Sequence, residues 1–407
     1  MVSRSLAGSL AESYSAYYGQ FIFPEKAQLQ LGCLRVAQGR IVAFEPLETL
    51  PHTLPEGGRR LEGFVTPGLI DMHVHLLLDG SADPVGHLLA QNPVQRVLAA
   101  QRHMQQELQA GVTTVRDLGG PDNIAVQLGQ AVAEGQLLGT RIFSSGRNIT
   151  MTGGHAHVLG CEADGADAVR RAARTELKAG AGLLKFMATG GVLTPGVIAG
   201  AEAMTEAEMR AGVEEAHKLG KRTAAHAQGL QGIKNALRAG IDSIEHGAFD
   251  HWDDEALELL RSRCLVPTLA APDAIMANRD ALPAWMVAKT APIVERHLAN
   301  SQQAYQAAVP IVAGTDAGTP FNPHGNLPRE LELLASLNLS LAEVLRSATC
   351  RAAEALGQAG ELGSLQTGAH ADLVSWQHNP LETIQAYRRA QARVVAGQLL
   401  AGAAESA

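Results

Sequence analysis

Eight short apolar runs, each followed by a stretch with helical spacing, limit this chain to a narrow set of folds. The runs are GFVTPGLIDMHVH (63–75), GVTTVRDL (111–118), RIFSSG (141–146), GLLKFMATGG (182–191), KRTAAHAQG (221–229), GIDSIEHG (240–247), CLVPTLA (264–270) and PIVAGTDAG (310–318). Stretches between them, such as 206–220 and 230–240, carry apolar residues three and four apart and end in glycine, as amphipathic helices do. Strand and helix in alternation imply parallel strands joined by crossover helices. Eight such units fit a closed (β/α)8 TIM barrel better than an open doubly wound sheet. The latter would want GxGxxG after its first strand, where this chain has DMHVH. The expected fold class is therefore α/β.

A barrel of this kind takes about 250 residues, and the remainder of the 407-residue chain suits one smaller domain. Residues 27–47 read as two or three short strands with a turn at Gly39. Residues 361–377 and 392–400 are strand-like again, separated by the turn residues Asn379 and Pro380. We expect a small β-sandwich assembled from both chain ends: 1–64 as its N-terminal part, 65–357 as the barrel and 358–407 as its C-terminal part. With 41 acidic and 33 basic residues and a formal charge of -8, nucleic acid and anionic membrane are poor main partners. The four cysteines are widely spread and form no CxxC pair, which argues against a disulfide framework or a cysteine zinc site. The N-terminal stretch lacks a continuous apolar segment, and no later run is long enough to span a bilayer. These features lead us to expect a cytoplasmic protein whose partner is a small molecule.

The chemistry starts at His73-Val74-His75. Residues two apart on a strand face the same way, so both imidazoles point into the mouth at the C-terminal end of the first barrel strand. Neutral imidazoles in that arrangement suit a divalent metal, zinc above all. His226 ends the fifth run, His246 the sixth and Asp316 the eighth, and strand ends of a barrel converge on one pocket. Lys185 is one of seven lysines and sits in the otherwise apolar LLKFM. Burial favours its neutral amine, which can take up carbon dioxide as an anionic carbamate able to bridge two cations. MTGGHAH (151–157) places His155 and His157 near the mouth, and Arg116 and Asp117 read as a structural pair ending the second strand.

These motifs resemble the amidohydrolase superfamily in its binuclear, carbamylated-lysine form. GLIDMHVHL, GVTTVRDLGG, MTGGHAH, LLKFMATGG, AAHAQG, SIEHG and VAGTDAG are similar to the branch related to imidazolonepropionase. That branch includes Xaa-Pro dipeptidases and carboxypeptidase-like enzymes acting on N-acyl amino acids. GSLQTGAHADLV resembles the strand that closes the family's composite β-domain. The resemblance implies a more buried metal on His73, His75 and Asp316, and a second on His226 and His246. Carbamylated Lys185 and a hydroxide would bridge the two. Asp316 would act as general base and then acid in cleaving an amide bond of a dipeptide or N-acyl amino acid. His155 is the implied contact for the substrate carboxylate. Gln228 stands where many peptidase-like members carry Tyr, and it would hydrogen-bond substrate. The resemblance also implies a homo-oligomer. The alternatives are a hydrolase of a cyclic amide, lactone, urea or carbamate on the same metals, and a non-catalytic scaffold barrel.

Overall fold

Residues of alternating burial at the N-terminal end form β1 (Ser15–Phe23), β2 (Gln28–Ala37), β3 (Arg40–Pro46) and β4 (Gly58–Pro67) in the computed structural model, which describes residues 14–400. The apolar runs that follow become parallel strands. β5 (Leu69–Val74), β6 (Val112–Asp117) and β7 (Arg141–Ser144) form one set. β8 (Asn148–Thr150), β9 (Gly160–Glu162), β10 (Leu183–Met187), β11 (Arg222–Ala227), β12 (Ser243–His246) and β13 (Cys264–Val266) form a second. Gly182 N donates to Ser144 O at 2.8 Å and links the two sets on one side.

The eighth run links them on the other, though not as a regular strand. Ile311 bridges Leu265 of β13, and Ala317 bridges Val74 of β5. In between, the ladder is partial: Val312 N donates to Leu265 O at 2.9 Å and Asp316 N to His73 O at 2.7 Å, whereas Ala313 N donates to Ser347 O and Thr315 N to Asp71 Oδ1, both at 3.0 Å. Pro310 has no N–H to give. The chain thus has the α/β barrel architecture expected for eight strand–helix units. β8 and β9 are short additions that carry the loop after β7.

Local signals set the helices around this wall. Thr205 accepts from Glu208 N while the Glu208 side chain returns to Thr205 N, a reciprocal cap that starts the helix Glu206–Lys218. The helix Leu230–Ala239 stops at Gly240, whose φ of 99° suits glycine.

The last strands, β14 (Leu373–Trp376), β15 (Ala390–Val395) and β16 (Gln398–Leu400), return to the N-terminal sheet, giving the order β16-β15-β14-β4-β1-β2-β3. Both chain ends therefore build one sheet. It curls until its edges meet: Ala371 N donates to Gly39 O and Gly397 N to Ala371 O, each at 2.9 Å. The curl encloses Tyr17, Phe21, Leu34, Val65, Leu373 and Val394 in a core of their own. Trp376 faces the barrel side instead, donating from its indole to Thr66 Oγ1 at 2.9 Å and packing edge-on to Tyr387. The described cysteines are unpaired, and no described helix is long and apolar enough to cross a membrane.

Gly68 is the joint between sheet and barrel. Its N–H donates to Asp372 O at 2.8 Å, and a Cβ there would lie 2.0 Å from Thr113 Oγ1. We expect Gly68→Ala to lower the unfolding free energy by about 1–3 kcal/mol through overpacking, measured by denaturant titration against the parent chain.

Candidate metal centre

β5 ends in His73 and His75, both buried, and each imidazole is fixed from behind. His73 Nδ1 lies 3.0 Å from Glu245 Oε2, and His75 Nδ1 lies 3.1 Å from Gly119 O. A carbonyl and a carboxylate only accept, so both Nδ1 atoms carry the proton and both Nε2 atoms point their lone pairs forward. They point at one atom: Asp316 Oδ1 is 3.3 Å from His73 Nε2 and 3.2 Å from His75 Nε2. Three electron-rich atoms this close require a cation among them, a proton or a metal ion. Their donor atoms all lie within 4.8 Å of one another, as a single ion needs.

The protonation tendencies agree with that geometry. Burial pushes Asp316 up, but the neighbouring His73 and His75 hold its carboxyl down at about 2. Burial pushes His75 down, yet contact with Asp316 raises it above the usual histidine range. His73, His226 and His246 are held well below their usual range, chiefly by burial, and are neutral imidazoles ready to ligate.

His226, from β11, lies 3.3 Å through Nε2 from Gly190 O, which leaves Nδ1 as its free lone pair. His246, ending β12, meets Thr268 Oγ1 through Nδ1 at 2.7 Å. The Thr268 hydroxyl already donates to Pro267 O at 2.6 Å, so it accepts from His246 and leaves Nε2 bare. The rings of His226 and His246 stand 4.5 Å apart, and those of His73 and His246 5.2 Å. His246, Thr268 and Asp316 have φ of 71°, 55° and 59°, a left-handed conformation that non-glycine residues adopt at a cost. That turn is how a strand end swings its side chain into the mouth.

Lys185 projects from β10 at 1% exposure, and its Nζ has no hydrogen-bond partner. Burial lowers its pKa to about 8, with Glu245 opposing and Arg116 assisting. A buried amine without a partner, among four imidazoles and a carboxylate, fits a group that acquires its partners on loading. All six residues expected as ligands line one cleft, as do His155, His157 and Gln228. His155 Nδ1 is 2.9 Å from Thr194 Oγ1, and its ring stands 4.4 Å from His226. The close seat is possible because Gly191 has no side chain: a Cβ there would lie 2.5 Å from His155 Nε2. Gln228 Oε1 is buried without a partner.

Arg116 and Asp117 do not pair with each other, because successive strand residues face opposite sides. Arg116 points into the barrel and donates to Met72 O, Ser243 Oγ and Glu245 Oε1 at 2.6, 2.8 and 2.7 Å. Asp117 accepts from Leu76 N and Ser144 Oγ, both at 2.9 Å. Glu245 is the residue that sequence reading passed over. It is fully buried, one place before the strand-end His246, and meets Arg116 of β6 across the barrel interior, an arrangement that no spacing in the sequence marks. The cleft wall formed by helices of 270–306 was also passed over.

The Amidohydrolase family model matches residues 64–400. Ochratoxinase from Aspergillus niger is 30% identical over 359 residues, covering 80% of this chain and 72% of that protein. A solved Xaa-Pro dipeptidase with methionine in its active site is 29% identical, covers 96% of this chain and 100% of its own, and has a TM-score of 0.88. A prolidase complexed with N-methylphosphonate-L-proline is 30% identical, with 96% and 100% coverage and a TM-score of 0.86. With this match and this site at its strand ends, the chain belongs to the amidohydrolase family and is a hydrolase acting on carbon–nitrogen bonds.

Proposed function

We propose that the chain cleaves the amide bond of a dipeptide or an N-acyl amino acid, with two divalent metal ions, zinc above all, as cofactors. The observation that carries this is the convergence of His73 Nε2, His75 Nε2 and Asp316 Oδ1 at 3.2–3.3 Å, beside the unpartnered Lys185 Nζ. His73, His75 and Asp316 would hold one ion and His226 and His246 the other, with Lys185 as a carbamate between them. In forming it, the neutral amine makes a nitrogen–carbon bond to carbon dioxide as one C–O π bond opens, and releases a proton, so that a neutral group becomes an anion. When bound, such ions supply a hydroxide nucleophile near neutral pH and polarise the scissile carbonyl.

The chain's own residues do the rest. Asp316 is deprotonated, as a proton acceptor must be, and it takes the nucleophile's proton and hands it to the leaving nitrogen. His155 and Gln228 offer hydrogen bonds to the substrate's carboxylate and carbonyl from the same cleft. Largely apolar walls line the approach to the reacting atoms. Four unpaired cysteines support placement in a reducing cytoplasm.

Protein purified without added metal is expected to hold close to two ions per chain by elemental analysis, to lose amide hydrolysis on chelation and to regain it on reloading. A metal-free chain that hydrolyses amides equally well would remove the basis of this reading. Asp316→Asn should lower kcat by about a hundredfold or more. Lys185→Met should leave fewer ions per chain at equal folding, read by elemental analysis beside circular dichroism. Glu245→Gln, which weakens the hold on His73 without emptying the ligand set, should cost about 10–100-fold in metal affinity by competition with a chelator.

A further inference from the structure

The cleft over the proposed metal centre, partly open to solvent, is distinguished by the charges it lacks. Among the described residues that line it, Asp316 is the one carboxylate and Lys185 the one lysine or arginine. Both belong to the proposed metal centre. Away from it the walls are largely apolar, with Val192 and Leu193 on one side and Phe249, Ile275 and Ile293 on another, and their polar members, such as Thr194 and Thr290, are uncharged. The nearby ammonium of Lys289 is engaged, donating to Thr194 O at 2.8 Å and lying 5.1 Å from the centre of the Trp285 ring. The buried cleft atoms left without partners beyond the ligand set, Gln228 Oε1 and His297 Nδ1, belong to groups that are never anionic.

We infer that the substrate is an N-acyl amino acid whose acyl group is large, apolar and uncharged, and that free dipeptides are poor substrates. This rests on the proposed amide hydrolysis and chooses between the two substrate classes it leaves open. The ammonium of a dipeptide is fixed by covalent geometry about 2.5 Å from its scissile carbonyl carbon. It must therefore enter this cleft, shed its water and sit beside the proposed metal ions with no described carboxylate but Asp316, which is already engaged. An unpaired buried charge is costly, and a nearby like charge adds to that cost. An acyl group without the ammonium escapes both penalties, and an aromatic or branched chain gains contact with the Phe249 and Ile275 walls.

The test is a matched pair differing in the ammonium alone: dihydrocinnamoyl-L-leucine and phenylalanyl-L-leucine, with acetyl-L-leucine as the short acyl control, on the metal-loaded full chain. The expected kcat/KM for dihydrocinnamoyl-L-leucine exceeds that of each of the other two by about tenfold or more. A dipeptide cleaved equally well or better, or an acetyl compound equal to the aromatic one, overturns the inference. If none of the three is cleaved, the amide-hydrolysis reading fails instead. In that event ligand-observed NMR competition between the same compounds still decides the cleft's preference: tighter binding of the dihydrocinnamoyl compound supports it, and equal or reversed affinity overturns it.

Discussion

The carboxylate of Glu245 is fully buried, yet it receives Arg116 at 2.7 Å, Ser243 Oγ at 2.6 Å and His73 Nδ1 at 3.0 Å. Removing one partner of such an arrangement would leave a charge stranded in the barrel, so its members hold one another in place. The same contacts tie β12 to β6 and, through the Arg116 bond to Met72 O, to β5. One buried acid therefore fixes both the wall and the tautomer of the first ligand. The forward-facing lone pair of His73, and with it the demand for a cation beside Asp316, follows from where Glu245 sits.

A second buried acid does comparable work on the adjoining seam. Asp71 accepts from His73 N, Thr315 N and Thr315 Oγ1 at 3.0, 3.0 and 2.7 Å. The segment that closes the barrel is thereby pinned to β5 by a side chain in addition to the backbone bonds from Met72 N to Ala313 O and from His75 N to Ala317 O. Asp316 keeps its own backbone bond to His73 O at 2.7 Å and turns, at φ 59°, toward the two histidines.

Much of this was legible in the sequence, because it is carried by residues whose type and period speak locally. Seven of the eight apolar runs are strands, and the expected ligands His73, His75, Lys185, His226, His246 and Asp316 share one cleft. The eighth run could not be foreseen as irregular, since the acceptors that divert its donors, Ser347 O and Asp71 Oδ1, are distant in sequence. Arg116 and Asp117 misled because adjacency in the chain means opposite faces in a strand. Thr268 and Glu245 were silent because a residue that orients a ligand has no spacing rule of its own. The cleft's apolar walls come from loops and short helices after β10 and β13, where composition carries no period to read.

The composite sheet also imposes an order of events on the newborn chain. β4 pairs with β1 on one side and with β14 on the other, yet β4 ends at Pro67 and β14 begins at Leu373. The roughly 300 residues in between take about 15–60 s to synthesise at ordinary rates. For that interval one edge of β4 offers its unpaired amides and carbonyls to any passing strand, as sheet edges do. The barrel, emerging meanwhile, lacks the Trp376 indole that seats against Thr66. β14, made long after β4, is thus the strand that seals it, and a message truncated before β14 leaves the sheet with a sticky open hem.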